Sequence, residues 1–127
     1  MRSLTLAVVQ FSPRFGRKEE NLHRMEALVS EIRADIMVFP ELCTTGYFFA
    51  SRDEVAAVAE TSSGVSADFF RALAQRRNAV VVAGFAEEDG HRLFNSCLVV
   101  APEQEKAFVY RKTHLYRDPG QVLQSAQ

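Results

Sequence analysis

The sequence has little net charge and no long apolar run, and each shortage excludes a class of protein. A formal net charge of -1 over 127 residues, with lysine and arginine scattered along the chain, provides no basic surface for a nucleic acid or an anionic membrane. The longest uninterrupted run of apolar residues and glycine, residues 79–86, is far too short to span a bilayer. We therefore expect no nucleic-acid partner and no membrane partner.

Cysteine is also scarce. The two cysteines, Cys43 and Cys97, are too few for a disulfide framework or a zinc cluster, and neither is flanked by another metal ligand at a useful spacing. The first apolar stretch is broken by Thr5 and stopped by Gln10, which favours a strand over a signal peptide. These observations predict a cytoplasmic protein with reduced cysteines.

The composition is that of one soluble globular domain, with 47% hydrophobic and 24% charged residues in a chain long enough to bury a core. Apolar and β-branched residues predict strands over residues 4–11 and 36–39, and helical spacing of apolar residues predicts a helix over residues 17–33 between them. This order favours a parallel strand pair with a right-handed crossover. A nucleotide-binding domain is the rival interpretation, but Gly16 stands alone where that fold needs a glycine-rich turn.

The rest of the chain predicts two helices followed by a meander of three strands. The helices are expected over residues 52–60 and from an N-cap at Ser66, and the strands over residues 79–85, 92–100 and 107–112, with an Asp89-Gly90 hairpin after the first. The predicted fold class is therefore α/β, a mixed sheet with helices packed on it.

Glu41 is the first candidate for chemistry. It follows a buried strand and Pro40, which lacks an N–H and fits where strand pairing stops. Ligands of open α/β sheets bind at the carboxyl ends of strands, so this carboxylate is a candidate acid or base. The alternative is a solvated loop carboxylate.

Lys112 is the second candidate. Side chains alternate along a strand, so Lys112 is expected to share an apolar face with Phe108 and Tyr110, while Arg111 on the other face meets solvent. An ammonium directed toward a core needs a counter-charge or a function. The alternative is a lysine that extends past the strand end into water.

These two residues stand in motifs that resemble those of the carbon–nitrogen hydrolase family, the nitrilase superfamily. Residues 39–42, Phe-Pro-Glu-Leu, followed by Thr-Gly-Tyr at 45–47, are similar to that family's glutamate motif, and residues 110–115, Tyr-Arg-Lys-Thr-His-Leu, are similar to its lysine motif. Residues 7–10 resemble its first strand, and residues 82–84 and 94–96 resemble its intermediate strands.

The resemblance implies a four-layer α-β-β-α sandwich, of which this chain is expected to be the N-terminal half, with helices on one face of a mixed sheet. It also implies a Glu-Lys-Cys triad that hydrolyses a non-peptide carbon–nitrogen bond without a metal or an organic cofactor. Glu41 takes the position of the general base and Lys112 that of the residue that stabilises the oxyanion. The expected substrate is a small amide or N-carbamoyl compound rather than a nitrile, and the expected assembly is a homo-oligomer.

The third triad member is not expected within the chain, because the family's cysteine lies on a strand well downstream of the lysine motif. We therefore expect residues 1–127 to form a single truncated domain that is itself inactive, with Cys43 beside the pocket and Cys97 in the core. Two alternatives remain open: a non-catalytic fragment that acts through association with itself or a complementary half, and a small binding domain that retains the pocket.

Overall fold

The computed structural model describes residues 2–115 and Leu123. Its strands are β1 (Leu6–Val8), β2 (Ile36–Val38), β3 (Val80–Asp89), β4 (Arg92–Val100) and β5 (Phe108–Arg111), and its helices are α1 (Lys18–Leu28), α2 (Arg52–Ala56) and α3 (Val65–Arg77). Every predicted helix and strand is present, although most are shorter than predicted. Within residues 2–115, no helix combines the length and the apolar composition needed to cross a membrane.

The five strands form one mixed sheet in the order β1-β2-β3-β4-β5. The first three strands are parallel, because helical crossovers join β1 to β2 and β2 to β3, and β3, β4 and β5 are antiparallel neighbours. The predicted hairpin joins β3 to β4, with Asp89 opposite Arg92 and Gly90 at a φ of 61°. This topology confirms the predicted α/β class with a mixed sheet.

The two longer helices cover one face of the sheet. Met25 of α1 and Phe70 and Leu73 of α3 are fully buried against a row of sheet residues that includes Met37 and Val81. Each such side chain contributes about 1.5–3 kcal/mol by leaving water. One helix layer on one sheet layer corresponds to half of the expected four-layer sandwich.

The short helix α2 belongs to a second, smaller cluster. Its Val55 packs with Leu42, Ala86 and Leu93. Ala86 and Leu93 alternate with the residues that face α1 and α3, so this cluster lies on the opposite face of the sheet, at one end. Through its contacts with Leu42, this cluster holds the loop that carries the neighbouring Glu41.

The predicted N-cap of α3 is wrong. The helix begins two residues earlier than predicted, with Gly64 at the N-cap, and Ser66 lies buried in its first turn. The Ser66 N–H donates to Glu60 Oε1 at 3.1 Å, and its hydroxyl donates to the other oxygen of the same carboxylate. Glu60, from the preceding loop, therefore supplies the acceptor that an N-cap side chain ordinarily provides.

The expected orientation of β5 is also wrong, although the alternation along it is correct. Phe108 and Tyr110 are 64% and 55% exposed, whereas Val109 packs against the core beneath the helices. The helices cover the Val109 face, and aromatic residues alone do not reveal which face a helix covers. Phe108 and Tyr110 instead lie on the uncovered face of the sheet, where Leu6 and Val8 of β1, at the opposite edge, are 58% and 72% exposed.

Candidate active site

The loop that carries Glu41 runs along β3. Beyond β2, the Phe39 N–H donates to Val82 O at 2.8 Å, and Pro40 O accepts the Gly84 N–H at 3.2 Å. The Cys43 N–H then donates back to Gly84 O at 3.0 Å. These hydrogen bonds hold Glu41 at both sides, so a rigid strand sets the position of its backbone.

This close approach requires glycine at position 84. A Cβ at Gly84 would lie 2.5 Å from the Leu42 nitrogen and 2.8 Å from the Glu41 Cα, closer than carbon atoms approach in proteins. Leu42 completes the turn at a φ of 46°, a left-handed conformation that is uncommon for a bulky residue. The buried contacts of its side chain hold it there.

Glu41 and Lys112 meet at the end of the sheet. Lys112 Nζ donates to Glu41 Oε1 at 2.7 Å, and Asn95 Nδ2 donates to the same oxygen at 2.5 Å. The Lys112 N–H donates to Asn95 O at 2.8 Å, so Asn95 fixes both the lysine backbone and the carboxylate. The contact joins residues that are 71 positions apart in the chain.

The electrostatics of the pair favour a charged carboxylate. The hydrogen bond from Lys112 holds the pKa of Glu41 below its usual range, against the opposing effect of partial burial. Glu41 is therefore ionised at neutral pH and able to accept a proton. The side chains of Glu41 and Lys112 remain 49% and 41% exposed, so molecules in solution can reach both groups.

Neither cysteine contacts this pair. Cys43 is fully buried, its thiol donates to Gly84 O at 3.2 Å, and burial raises its pKa to about 12. Cys97 is half-buried on β4, and burial raises its thiol pKa as well. Both thiols are therefore protonated and inert at neutral pH. No three His, Cys, Asp or Glu side chains among the described residues are grouped so that they could hold a metal ion.

Two residues that build this site, Asn95 and Gly84, are not among the candidates predicted from the sequence. Asn95 stands in a stretch that resembles a family strand, and the hairpin register places it on the face shared with Lys112. Gly84 is a glycine inside a strand, which often marks a close backbone approach. The close approach of the Glu41 loop to β3 could therefore have been predicted from this glycine.

Comparison with known proteins identifies a family and several relatives. The sequence profile of the family described as Carbon-nitrogen hydrolase matches residues 5–126. The chain is 32% identical over 123 residues to a protein N-terminal amidase of Saccharomyces cerevisiae, covering 90% of this chain and 27% of that protein. It is 37% identical over 117 residues to a nitrilase of Pyrococcus abyssi, covering 87% of this chain and 44% of that protein.

The fold is similar to that of solved structures in the same group. A crystal structure of an N-terminal amidase superimposes with a TM-score of 0.82 at 30% identity, over 89% of this chain and 28% of that one. The chain thus spans less than half the length of these relatives.

Proposed function

Because the chain belongs to the carbon–nitrogen hydrolase family, we propose that Glu41 and Lys112 are two members of a Glu-Lys-Cys triad that hydrolyses a small amide or N-carbamoyl compound. The contact of 2.7 Å between Lys112 Nζ and Glu41 Oε1 is the observation that carries this proposal. It joins a carboxylate and an ammonium from two separate motifs on one open surface.

The proposed roles follow from the charges of the pair. Glu41, ionised at neutral pH, accepts the proton of a cysteine thiol as the sulfur attacks the carbonyl carbon. Lys112 lies beside it as a cation, where it stabilises the negative charge that develops on the carbonyl oxygen. The carbon–nitrogen bond then breaks, the amine leaves with the proton from Glu41, and water hydrolyses the thioester.

The nucleophile of this reaction is neither Cys43 nor Cys97. The Cys43 thiol is buried and donates a hydrogen bond to a backbone carbonyl. Burial raises its pKa to about 12, so it supplies almost no thiolate at neutral pH. We propose that residues 1–127 alone therefore form a truncated domain that does not turn over amides. The whole protein's activity requires a cysteine from outside this stretch.

The substrate class is proposed from the family and the relatives. Several relatives are named as amidases, which favours an amide over a nitrile. This also disfavours the alternative of a fragment that acts only through association. We further propose that the protein is cytoplasmic and needs no metal or organic cofactor, because the triad supplies base, cation and nucleophile from side chains.

Self-association is proposed on the basis of the uncovered sheet face. Leu6, Val8, Phe108 and Tyr110 are each more than half exposed on the face opposite α1 and α3. Leu6 and Val8 lie on one edge strand and Phe108 and Tyr110 on the other, and the partly buried Val82 and Val99 lie on the strands between them. An uncovered apolar sheet face of this kind is costly in water and marks an interaction site. A homo-oligomer that buries it is the expected assembly of the 127-residue chain.

A chimeric enzyme tests the assigned roles. The aligned N-terminal part of the Pyrococcus abyssi nitrilase is replaced by residues 5–115 of this chain, and ammonia release is measured on a panel of amides, carbamoyl compounds and nitriles. We expect turnover by the chimera and a loss of about 100-fold or more with Glu41→Gln or Lys112→Met. Glu88→Gln, which changes an exposed carboxylate of β3, is the matched control.

Two outcomes contradict the proposal. One is a folded, active chimera that keeps its full rate when Glu41 or Lys112 is replaced. The other is robust ammonia release by the unmodified 127-residue chain that Cys43→Ala abolishes, because this would make Cys43 the nucleophile.

A further inference from the structure

An arginine on the helix-covered face connects three strands next to the candidate site. Arg111 of β5 donates from Nε and Nη2 to the two oxygens of Glu87 on β3, at 2.9 and 2.6 Å. Its Nη2 also donates to Asp89 Oδ2 at 2.8 Å. Ser96 of β4 donates its hydroxyl to Glu87 Oε2 at 2.5 Å. Both oxygens of the Glu87 carboxylate therefore accept hydrogen bonds from protein donors, which compensates for the loss of water around a side chain that is only 5% exposed.

The arginine reaches β3 by crossing over β4. Arg111 stands opposite Ser96 in the β4–β5 register, and its guanidinium carbon lies 4.0 Å from the centre of the Phe94 ring. A planar guanidinium that stacks on a ring and binds a carboxylate through two parallel bonds has little freedom to move. The end of β5 is thereby held to β3 as well as to its neighbour β4.

The residue that follows Arg111 is Lys112, which points to the opposite face. Lys112 is bonded to the sheet by its N–H to Asn95 O, and its ammonium meets the Glu41 carboxylate. A displacement of the strand end by about 1 Å is enough to break a hydrogen bond of 2.7 Å. The arginine contacts on one face therefore hold the strand end from which Lys112 extends on the other.

We propose that Arg111 is a positioning residue that sets the distance between Lys112 and Glu41 by anchoring the end of β5 to Glu87 and Asp89. This inference rests on the proposed function for the statement that Lys112 and Glu41 are the reacting groups. Arg111 itself touches neither of them.

The test compares two identical substitutions in the 127-residue chain. Arg111→Lys keeps the positive charge near Glu87 but loses the planar fork and the ring stacking. Arg92→Lys is the matched control, because Arg92 contacts the same Asp89 at 3.6 Å and lies over the same Phe94 ring at 5.2 Å, but from β4. Lys112→Met is the reference in which the ammonium is absent.

The measurement is the pKa of the Glu41 carboxyl, followed by carbon-13 NMR at a temperature where every variant is folded. Lys112 is the main group that lowers this pKa. We expect the Glu41 pKa to rise in Arg111→Lys toward its value in Lys112→Met, and to stay at the wild-type value in Arg92→Lys. A purely structural role for Arg111 lowers stability without moving this pKa.

A second variant covers the case in which Arg111→Lys does not fold. The double substitution Arg111→Met with Glu87→Met removes both charges together and leaves neither buried without a partner. It is expected to raise the Glu41 pKa in the same way. A wild-type Glu41 pKa in either folded variant refutes the positioning role while leaving the proposed hydrolysis intact, because the measurement involves no turnover.

Discussion

Replacing Gly84 by alanine tests whether the sheet itself sets the position of Glu41. Where a strand has room for a methyl group, alanine is more stable than glycine by about 0.5–1 kcal/mol, because glycine loses more backbone freedom on folding. Gly84 has no such room, since its Cβ would lie 2.5 Å from the Leu42 nitrogen and 2.8 Å from the Pro40 oxygen. The atoms that it meets are backbone atoms, which cannot rotate away.

The loop must therefore retreat by about 1 Å to restore an ordinary contact distance, which is at least 3.4 Å. That shift weakens the two hydrogen bonds between Gly84 and the loop, at 3.2 and 3.0 Å. Each bond is worth about 1 kcal/mol, and forcing extra volume into a packed site costs about 1–3 kcal/mol. We expect Gly84→Ala to lower the free energy of unfolding by about 2–4 kcal/mol.

Urea denaturation followed by circular dichroism measures this change. Gly90→Ala is the control, because Gly90 has no atom within 4 Å of its added Cβ and a φ of 61°, so it suffers backbone strain alone. We expect that control to lose about 1 kcal/mol. A Gly84→Ala variant that is as stable as the wild type, or more stable, refutes the close approach of the loop to β3.

Three further predictions concern charge, thiol reactivity and assembly. Lys112 lowers the folded-state pKa of Glu41, so their pairing stabilises the fold fully at pH values above the unfolded-state pKa of Glu41. This stabilisation is lost as the pH falls through the folded-state pKa. Urea titrations of wild type and Lys112→Met at a series of pH values measure this effect. The difference between their free energies of unfolding should be at most about 1 kcal/mol, because the pair is so exposed, and it should become smaller in acid. A difference that does not change with pH contradicts the pairing. The reactivity of Cys43 toward a disulfide reagent can be measured at pH 8 in a Cys97→Ala variant. Cys43 should react at least about 1,000-fold more slowly in the folded chain than in the chain unfolded by urea, because burial raises its pKa. Equal rates in the two states contradict its burial. Sedimentation should show wild-type oligomers and a monomeric Phe108→Lys/Tyr110→Lys variant, whereas a wild-type monomer at micromolar concentrations contradicts the proposed association.

Much of the fold could be predicted from local patterns. Uninterrupted apolar runs identified β2 and β3, and the Asp89-Gly90 turn identified the β3–β4 hairpin because its conformation suits few residue pairs. Such signals depend on neighbours in sequence. Glu41 and Lys112 could also be selected from the sequence as candidate site residues, since both follow strands and stand in motifs that resemble those of one family.

The errors concern interactions that depend on distant residues. Arg111 was expected in solvent, yet it pairs with the buried Glu87, because the covered face of β5 is decided by where α1 and α3 pack. Ser66 was expected to cap α3, yet Glu60 supplies the acceptor from six residues away. Both partners lie outside the local window that each prediction used.

The separation of 71 residues between Glu41 and Lys112 has a consequence for the order of assembly during synthesis. The ribosome releases the chain from its N-terminus, so Glu41 emerges long before its cation does. During that interval the Glu41 carboxylate lacks the Lys112 ammonium. Once β4 has paired with β3, the Asn95 amide can donate a hydrogen bond to it, but the cation is still missing. Long-range contacts of this kind form late because loop closure is costly. The ion pair cannot form before Lys112, which directly follows β5, has been synthesised, and we expect it among the last contacts of the sheet to appear.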